Sequence, residues 1–373
     1  MANQHGEPVN TLNRNLKVWL IDSTLPGHTQ QVDAIGRLLR QELGAECEWI
    51  RTKLRLRGSL RSMARSLVDL VPTRLASLLA RAMYWGVNIP RDKPDLIVSS
   101  STHTVSFCRL FARQHGASTI FLGELHPPRS QWFDLVVAPV PFQMPNAMLA
   151  PVLQTGQTQS AAKKAAEMFW PEGLPANCWT MIIGGNGKSH TYRPDEWKAL
   201  AESMNQLAKR HGFKWLISTS RRTGTANEAI LKETLDPASI QEAIWWGEKP
   251  KKGLAAFIHA GERVFATRDS LTMISEVIAI KGTVDVIYPA DFRLSPDTAY
   301  ERYLKRLQDQ GLLIPHPIGG CEKATQRGNP AKIEVAQRQF EEELVERVKT
   351  LCPRVFGVDS DVSRQPQAIQ DPQ

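Results

Sequence analysis

The stretch Arg268-Asp269-Ser270-Leu271-Thr272-Met273-Ile274-Ser275-Glu276-Val277 decides how this chain is read. The residues before it, Val264-Phe265-Ala266-Thr267, read as a short buried strand, and Leu271 to Ile280 reads as the helix that follows, with Asp269 or Ser270 as N-cap and Gly282 as its stop. The first turn of a helix placed after a strand has unpaired N–H groups and a partial positive charge, which suit a phosphate. Ser270, Thr272 and Ser275 bring hydroxyls to that end. Glu276 lies one to two turns in, where a carboxylate can accept from sugar hydroxyls.

Two further loops of the same half carry phosphate-type chemistry. Trp179 to Ile183 reads as a buried strand running straight into Gly184-Gly185-Asn186-Gly187-Lys188-Ser189, and glycines let backbone N–H groups approach an anion closely. The Gly187-Lys188-Ser189 ending is not a Walker loop, which needs glycine five residues before Gly187, where this chain has Ile182. Ser218-Thr219-Ser220-Arg221-Arg222-Thr223 follows a strand-like Phe213 to Ile217 and supplies two guanidiniums that can hold phosphate oxygens bidentately.

A chain of 373 residues with 42% hydrophobic and 23% charged residues fits two folded domains. Its five cysteines, Cys47, Cys108, Cys178, Cys321 and Cys352, are scattered without C-x-x-C spacing, so free thiols in a reducing compartment are expected, with no metal site and no bound cofactor. No signal peptide and no spanning helix is expected: the start has no basic region before an apolar core, and no run of eighteen apolar residues occurs. The net charge of +8 is concentrated between Arg51 and Arg91, where arginines including Arg55, Arg57, Arg61, Arg65, Arg74 and Arg81 alternate with leucines, and Asp69 is the sole acid. Much of such a segment reads as a basic amphipathic helix or helix pair, broken near Pro72, that either meets an anionic membrane surface or is a solvated helix face. No nucleic-acid partner is expected, because RNP, zinc-finger and helix-turn-helix patterns are missing.

Strand-like and helical runs alternate through both halves, which implies parallel sheets and two Rossmann-like α/β domains facing each other across a cleft. The expected boundaries are 16–170 for an acceptor- and membrane-side domain, 171–325 for a nucleotide-sugar domain, 331–350 for a C-terminal helix and 359–373 for a disordered tail. Pro139 to Pro151 reads as a connection and Trp170 to Pro175 as a hinge. In the first half, Asp22-Ser23-Thr24-Leu25-Pro26-Gly27-His28-Thr29-Gln30-Gln31 leads from a strand into a helix. There His28 meets a helix N-terminal field that disfavours imidazolium, so it can serve as a proton acceptor or simply pack the loop.

Three of these stretches, taken together, resemble the mitochondrial-fission "elongated mitochondria" family. They are Pro26-Gly27-His28-Thr29-Gln30-Gln31, Thr219-Ser220-Arg221-Arg222-Thr223 and Asp269-Ser270-Leu271-Thr272-Met273-Ile274-Ser275-Glu276, and the similarity of order spans roughly residues 16–320. The basic, compact character is that of bacterial members. The same layout resembles GT-B glycosyltransferases, in particular the enzyme that adds N-acetylglucosamine to lipid-linked muropeptide. That resemblance implies His28 as catalytic base beside Gly27 and Gln30 on the acceptor side, Gly184, Gly185, Asn186 and Gly187 around a diphosphate, Ser220, Arg221 and Arg222 closing on it, and Glu276 on the ribose. It further implies that the C-terminal helix packs back on the first domain. Two departures are visible: Thr24-Leu25-Pro26 stands where that enzyme has more glycine, and Asp269 brings a negative charge near the phosphate, where it either caps the helix or meets Arg221, Arg222 or Arg268.

The function implied is metal-independent transfer of a sugar from a nucleotide diphosphate sugar to a lipid-linked or envelope glycan, in the cytoplasm and peripheral on the inner membrane face. The alternatives are a non-catalytic GT-B-shaped interaction protein at the membrane and a nucleotide-sugar epimerase or hydrolase, since all three share one diphosphate cradle.

Overall fold

Buried β-branched and leucine-rich runs build two all-parallel sheets, one in each of two units: residues 1–150 with 338–373, and residues 151–337. The computed structural model describes residues 14–55, 68–125, 129–187, 191–289, 298–320 and 330–357. The expected tail at 359–373 lies outside the described residues, as do Arg57, Arg61, Arg65 and Lys188.

In the first unit the strands are β1 (Lys17–Asp22), β2 (Glu46–Arg51), a short antiparallel pair β3 (Lys53–Leu54) and β4 (Tyr84–Trp85), then β5 (Leu96–Ser100), β6 (Ser118–Leu122), β7 (Leu135–Ala138) and β8 (Ala147–Leu149). The main sheet runs β2-β1-β5-β6-β7-β8. All five residues of β5 are buried, as a central strand covered on both faces requires, whereas edge strand β2 is mostly exposed. The helix Pro26–Leu43 starts with proline at its first position and stops at Gly44 in the left-handed conformation. Ile21 pairs with Ser99 and Ser100 with Leu122, so β1, β5 and β6 end level with one another.

The C-terminal helix Pro330–Leu351 places Phe340, Leu344 and Val348, one turn apart, in the same core as Val18, Leu20 and Leu96. Ser118 Oγ donates to Leu351 O at 2.6 Å. The helix thus packs back on the first unit, as the fold class implies.

The second unit contains β9 (Cys178–Ile182), β10 (Lys214–Ser218), β11 (Ile240–Ile244), β12 (Val264–Thr267), β13 (Val284–Tyr288) and β14 (Leu313–Pro317) in the order β11-β10-β9-β12-β13-β14. Numbered within the unit this is 3-2-1-4-5-6, the doubly wound Rossmann order, whose direction reverses between β9 and β12. In doubly wound sheets ligands bind outside the carboxyl ends of the strands at this reversal point.

One expectation is corrected. The division falls at Ala150/Pro151 rather than 170/171, because the helix Gln159–Phe169 belongs to the second unit: Phe169 meets Phe257 at 5.4 Å and Trp170 stacks on it at 5.5 Å. The apolar faces after Pro151 already have their partners downstream. Of the basic segment, residues 56–67 lie outside the described residues; among the described ones a helix spans Ala76–Met83 after Pro72, with two short 3₁₀ turns before it. Its flanks are β3 and β4, whose Trp85 carries the Arg55 guanidinium 3.8 Å over its ring.

Candidate functional site

The glycine loop after β9 and the Arg268–Ser270 turn after β12 meet at the reversal of the second sheet. Gly184 N–H donates to Thr267 Oγ1 at 2.7 Å, and Gly185 N–H donates to Asp269 Oδ2 at 2.9 Å. Thr267 in turn donates to Asp269 Oδ1 at 2.7 Å, and Arg222 from the loop after β10 pairs with Asp269 at 2.6 Å. Of the partners open to Asp269, the structure selects Arg222 and leaves the helix start to Ser270, whose side chain makes no capping bond. The Asp269 side chain is 2% exposed; burial pushes its carboxyl up, and Arg222, Thr267 and the Gly185 amide oppose that rise.

This contact explains why the loop needs glycine. A Cβ on Gly184 would lie 2.1 Å from the Asp269 carboxylate, and one on Gly185 would lie 2.2 Å from the Arg222 carbonyl oxygen. Gly185 also holds φ at +145°, where side chains are strained. Ser220 Oγ donates to Gly184 O at 2.5 Å and Thr223 Oγ1 reaches the same oxygen, so the two loops are tied edge to edge. Asn186 Oδ1 accepts the Tyr192 N–H at 2.9 Å, and Gly187 is exposed.

The structure therefore brings Gly184, Gly185, Asn186, Ser220 and Arg222 together, with their polar groups largely spent on one another. Two features can meet an anion: the first turn of the helix Leu271–Lys281, where the N-cap Ser270 makes no side-chain capping bond, and Arg221, which is exposed and has no ion pair among the described residues. Thr272 is half-buried in that first turn. Glu276 stands on the next turn and is 6% exposed. Ser275 is a correction: its hydroxyl bonds Leu271 O at 2.7 Å and Tyr303 OH at 2.8 Å in the interior, so it serves helix packing rather than a ligand.

Behind the turn, the Arg268 guanidinium is 1% exposed and ion-paired with buried Glu301. The rings of Tyr288 and Tyr300 lie 5.1 Å from it, and Tyr300 OH donates to Arg268 O. Position 268 is thus a buried anchor for the turn.

The first unit has its own strand-end cluster. Its sheet reverses between β1 and β5, and the two loops leaving there touch: His28 Nδ1 lies 2.7 Å from Ser100 Oγ, which also lies 2.8 Å from Leu122 O. His28 occupies the first turn of the Pro26–Leu43 helix with Gly27 and Gln30 beside it. Burial, then the nearby charge of His103, holds its pKa below the ordinary histidine value. Asp22 shapes this loop by accepting Thr24 N–H at 2.7 Å and the Thr29 hydroxyl at 2.6 Å. Both loops bend through a left-handed residue that is not glycine, Thr24 at φ 62° and Ser101 at φ 81°. Such backbone costs on the order of 1–3 kcal/mol and is held only where its surroundings impose it.

Residues 26–341 match the family model described as mitochondrial fission ELM1. The chain belongs to this family. No match was found among curated protein sequences. Among solved structures, the protein of this mitochondrial fission family is similar to the UDP-GlcNAc 2-epimerase of Methanocaldococcus jannaschii, with 12% identity over 90% of this chain and 99% of the other at a TM-score of 0.53. The same enzyme in complex with UDP-GlcNAc and UDP gives 12% identity, the same coverage and a TM-score of 0.51. CalG4, the calicheamicin glycosyltransferase, gives 11% identity over 92% and 100% of the two chains at a TM-score of 0.51. These likenesses are of fold, and they place the ELM1-family chain in the GT-B class of two Rossmann-like domains.

Sequence reasoning passed over two elements of these clusters in the family member. One is Ser100, inside the run Ser99-Ser100-Ser101-Thr102-His103-Thr104; a string of hydroxyls directly after a buried strand was the available signal. The other is Glu228, buried on the helix Thr225–Thr234, which accepts the Thr219 hydroxyl and the Gly247 N–H at 3.1 Å and so fixes the loops after β10 and β11.

Proposed function

We propose that this protein is a glycosyltransferase of the GT-B type that takes a sugar from a nucleotide diphosphate sugar and acts on a lipid-linked or envelope glycan at the cytoplasmic face of a membrane. The observation that carries the donor half is the Leu271–Lys281 helix start beside the glycine loop and Arg221, at the reversal point of a 3-2-1-4-5-6 sheet. A structural neighbour that binds UDP-GlcNAc and UDP supports the same ligand class here. In the reaction the acceptor oxygen attacks the anomeric carbon and its proton passes to His28. The bond from that carbon to the diphosphate breaks, and the leaving charge falls to the helix start and Arg221. Glu276 accepts from the ribose.

Calorimetry with UDP is the direct test. Glu276→Ala is expected to weaken binding by roughly ten- to a hundred-fold, the loss of a charge-assisted hydrogen bond of about 1.5–3 kcal/mol. An unmutated protein that binds no nucleoside diphosphate removes the enzyme reading and favours a GT-B-shaped interaction protein.

The membrane half rests on the surface after β3. Leu70, Leu78 and Trp85 are 76%, 69% and 59% exposed, and Arg55, Arg74, Arg81 and Arg91 are exposed as well. Apolar side chains that enter the headgroup boundary beside cationic ones that meet its phosphates are the two terms of interfacial binding. No helix among the described residues is long and apolar enough to cross a membrane. Vesicles containing anionic lipid should bind the protein, neutral vesicles much less, and the difference should shrink with salt. Leu78→Glu with Arg74→Glu should abolish flotation; equal flotation of this variant and the parent sinks the membrane half.

A further inference from the structure

We infer that Ser100 is a positioning residue that fixes which nitrogen of His28 carries the proton. The inference rests on the proposed role of His28 as base. Ser100 is fully buried at the end of β5, with its Oγ 2.8 Å from Leu122 O and 2.7 Å from His28 Nδ1. A serine hydroxyl has one proton, and a carbonyl oxygen can only accept. That proton therefore points to Leu122 O, and Oγ turns a lone pair toward the imidazole. A neutral imidazole has one N–H, so the 2.7 Å contact requires it on Nδ1. Nε2 is left with the lone pair and is the atom that receives the acceptor's proton.

The arrangement holds through the reaction. The Leu122 carbonyl belongs to β6, whose backbone is paired on one side with β5 and on the other with β7, so it cannot turn away from Ser100. When Nε2 takes a proton, the Nδ1–H bond to Ser100 stays in place. A neutral hydroxyl orients the ring without adding the negative charge of a carboxylate, so burial remains the leading influence on the imidazole. The left-handed turn at Ser101, one residue on, fixes how the chain leaves β5 beyond this contact.

Nitrogen NMR of the full-length protein labelled at its nine histidines reads the tautomer directly, with the His28 signals identified by their loss in His28→Gln. Above its pKa, His28 should show a protonated Nδ1 and a bare Nε2. Ser100→Ala should move it to the Nε2–H form and lower transfer about tenfold or more, whereas Ser100→Thr should keep the Nδ1–H form. A wild-type His28 protonated on Nε2 overturns the inference, as does a folded Ser100→Ala protein that keeps Nδ1–H. Should Ser100→Ala fail to fold, Ser100→Cys, whose sulfur accepts poorly, should show a mixed population, and a pure Nδ1–H form there is equally fatal. If His28→Ala transfers sugar at the parental rate while the parent shows Nδ1–H, the base reading is lost and the hold of Ser100 on the ring stands.

Discussion

His28→Ala is expected to lower sugar transfer by about 10²–10⁴-fold while leaving nucleoside diphosphate affinity at the parental value. The two outcomes separate because the groups proposed for the nucleotide, from the glycine loop to Glu276, all belong to the second unit, and His28 belongs to the first. The pH profile sharpens the test. The working form of a base is the neutral imidazole, and burial together with His103 lowers the pKa of His28, so its acid limb in kcat/KM should fall below the ordinary histidine value near 6.5. Parental activity in His28→Ala would assign the imidazole to loop packing.

Glu301→Ala should cost about 3–5 kcal/mol of stability, because it leaves the buried Arg268 guanidinium without its carboxylate. Tyr288 and Tyr300 lie beside that guanidinium but carry no charge that could replace the carboxylate. The double variant Arg268→Met/Glu301→Leu should recover most of the loss, since a buried ion pair replaced whole by apolar groups is often neutral. Urea unfolding followed by tryptophan fluorescence measures both. A single variant that loses less than about 1 kcal/mol sinks the view of Arg268 as a buried anchor.

Much of the second unit was legible because its strands are short apolar runs closed by turn chemistry, and the helix Leu271–Lys281 was readable from its N-cap candidates and Gly282. Strand β14 was hidden by Pro315 and Pro317, which the sheet tolerates because β14 is an edge. Strand β8 was hidden in the same way, inside a stretch that its prolines marked as a connection, and it too lies at an edge. The three polar loops could be found in the sequence, but not what they do to one another. That Asp269 bonds Gly185 across 84 positions, or that Ser100 meets His28 across 72, is set by strand order, which no local pattern encodes.

The Asp269 carboxylate seated over the glycine loop has a consequence for how related sequences can vary. The nearest obstacles to a side chain at Gly184 all belong to the Asp269 side chain, so alanine there should be tolerated better once position 269 shrinks, and the two positions are expected to be coupled by epistasis. The obstacle at Gly185 is the Arg222 backbone carbonyl together with a φ of +145°, neither of which any substitution elsewhere removes. Of two adjacent glycines, the first is conditional on a distant residue and the second is required by the path of the chain itself.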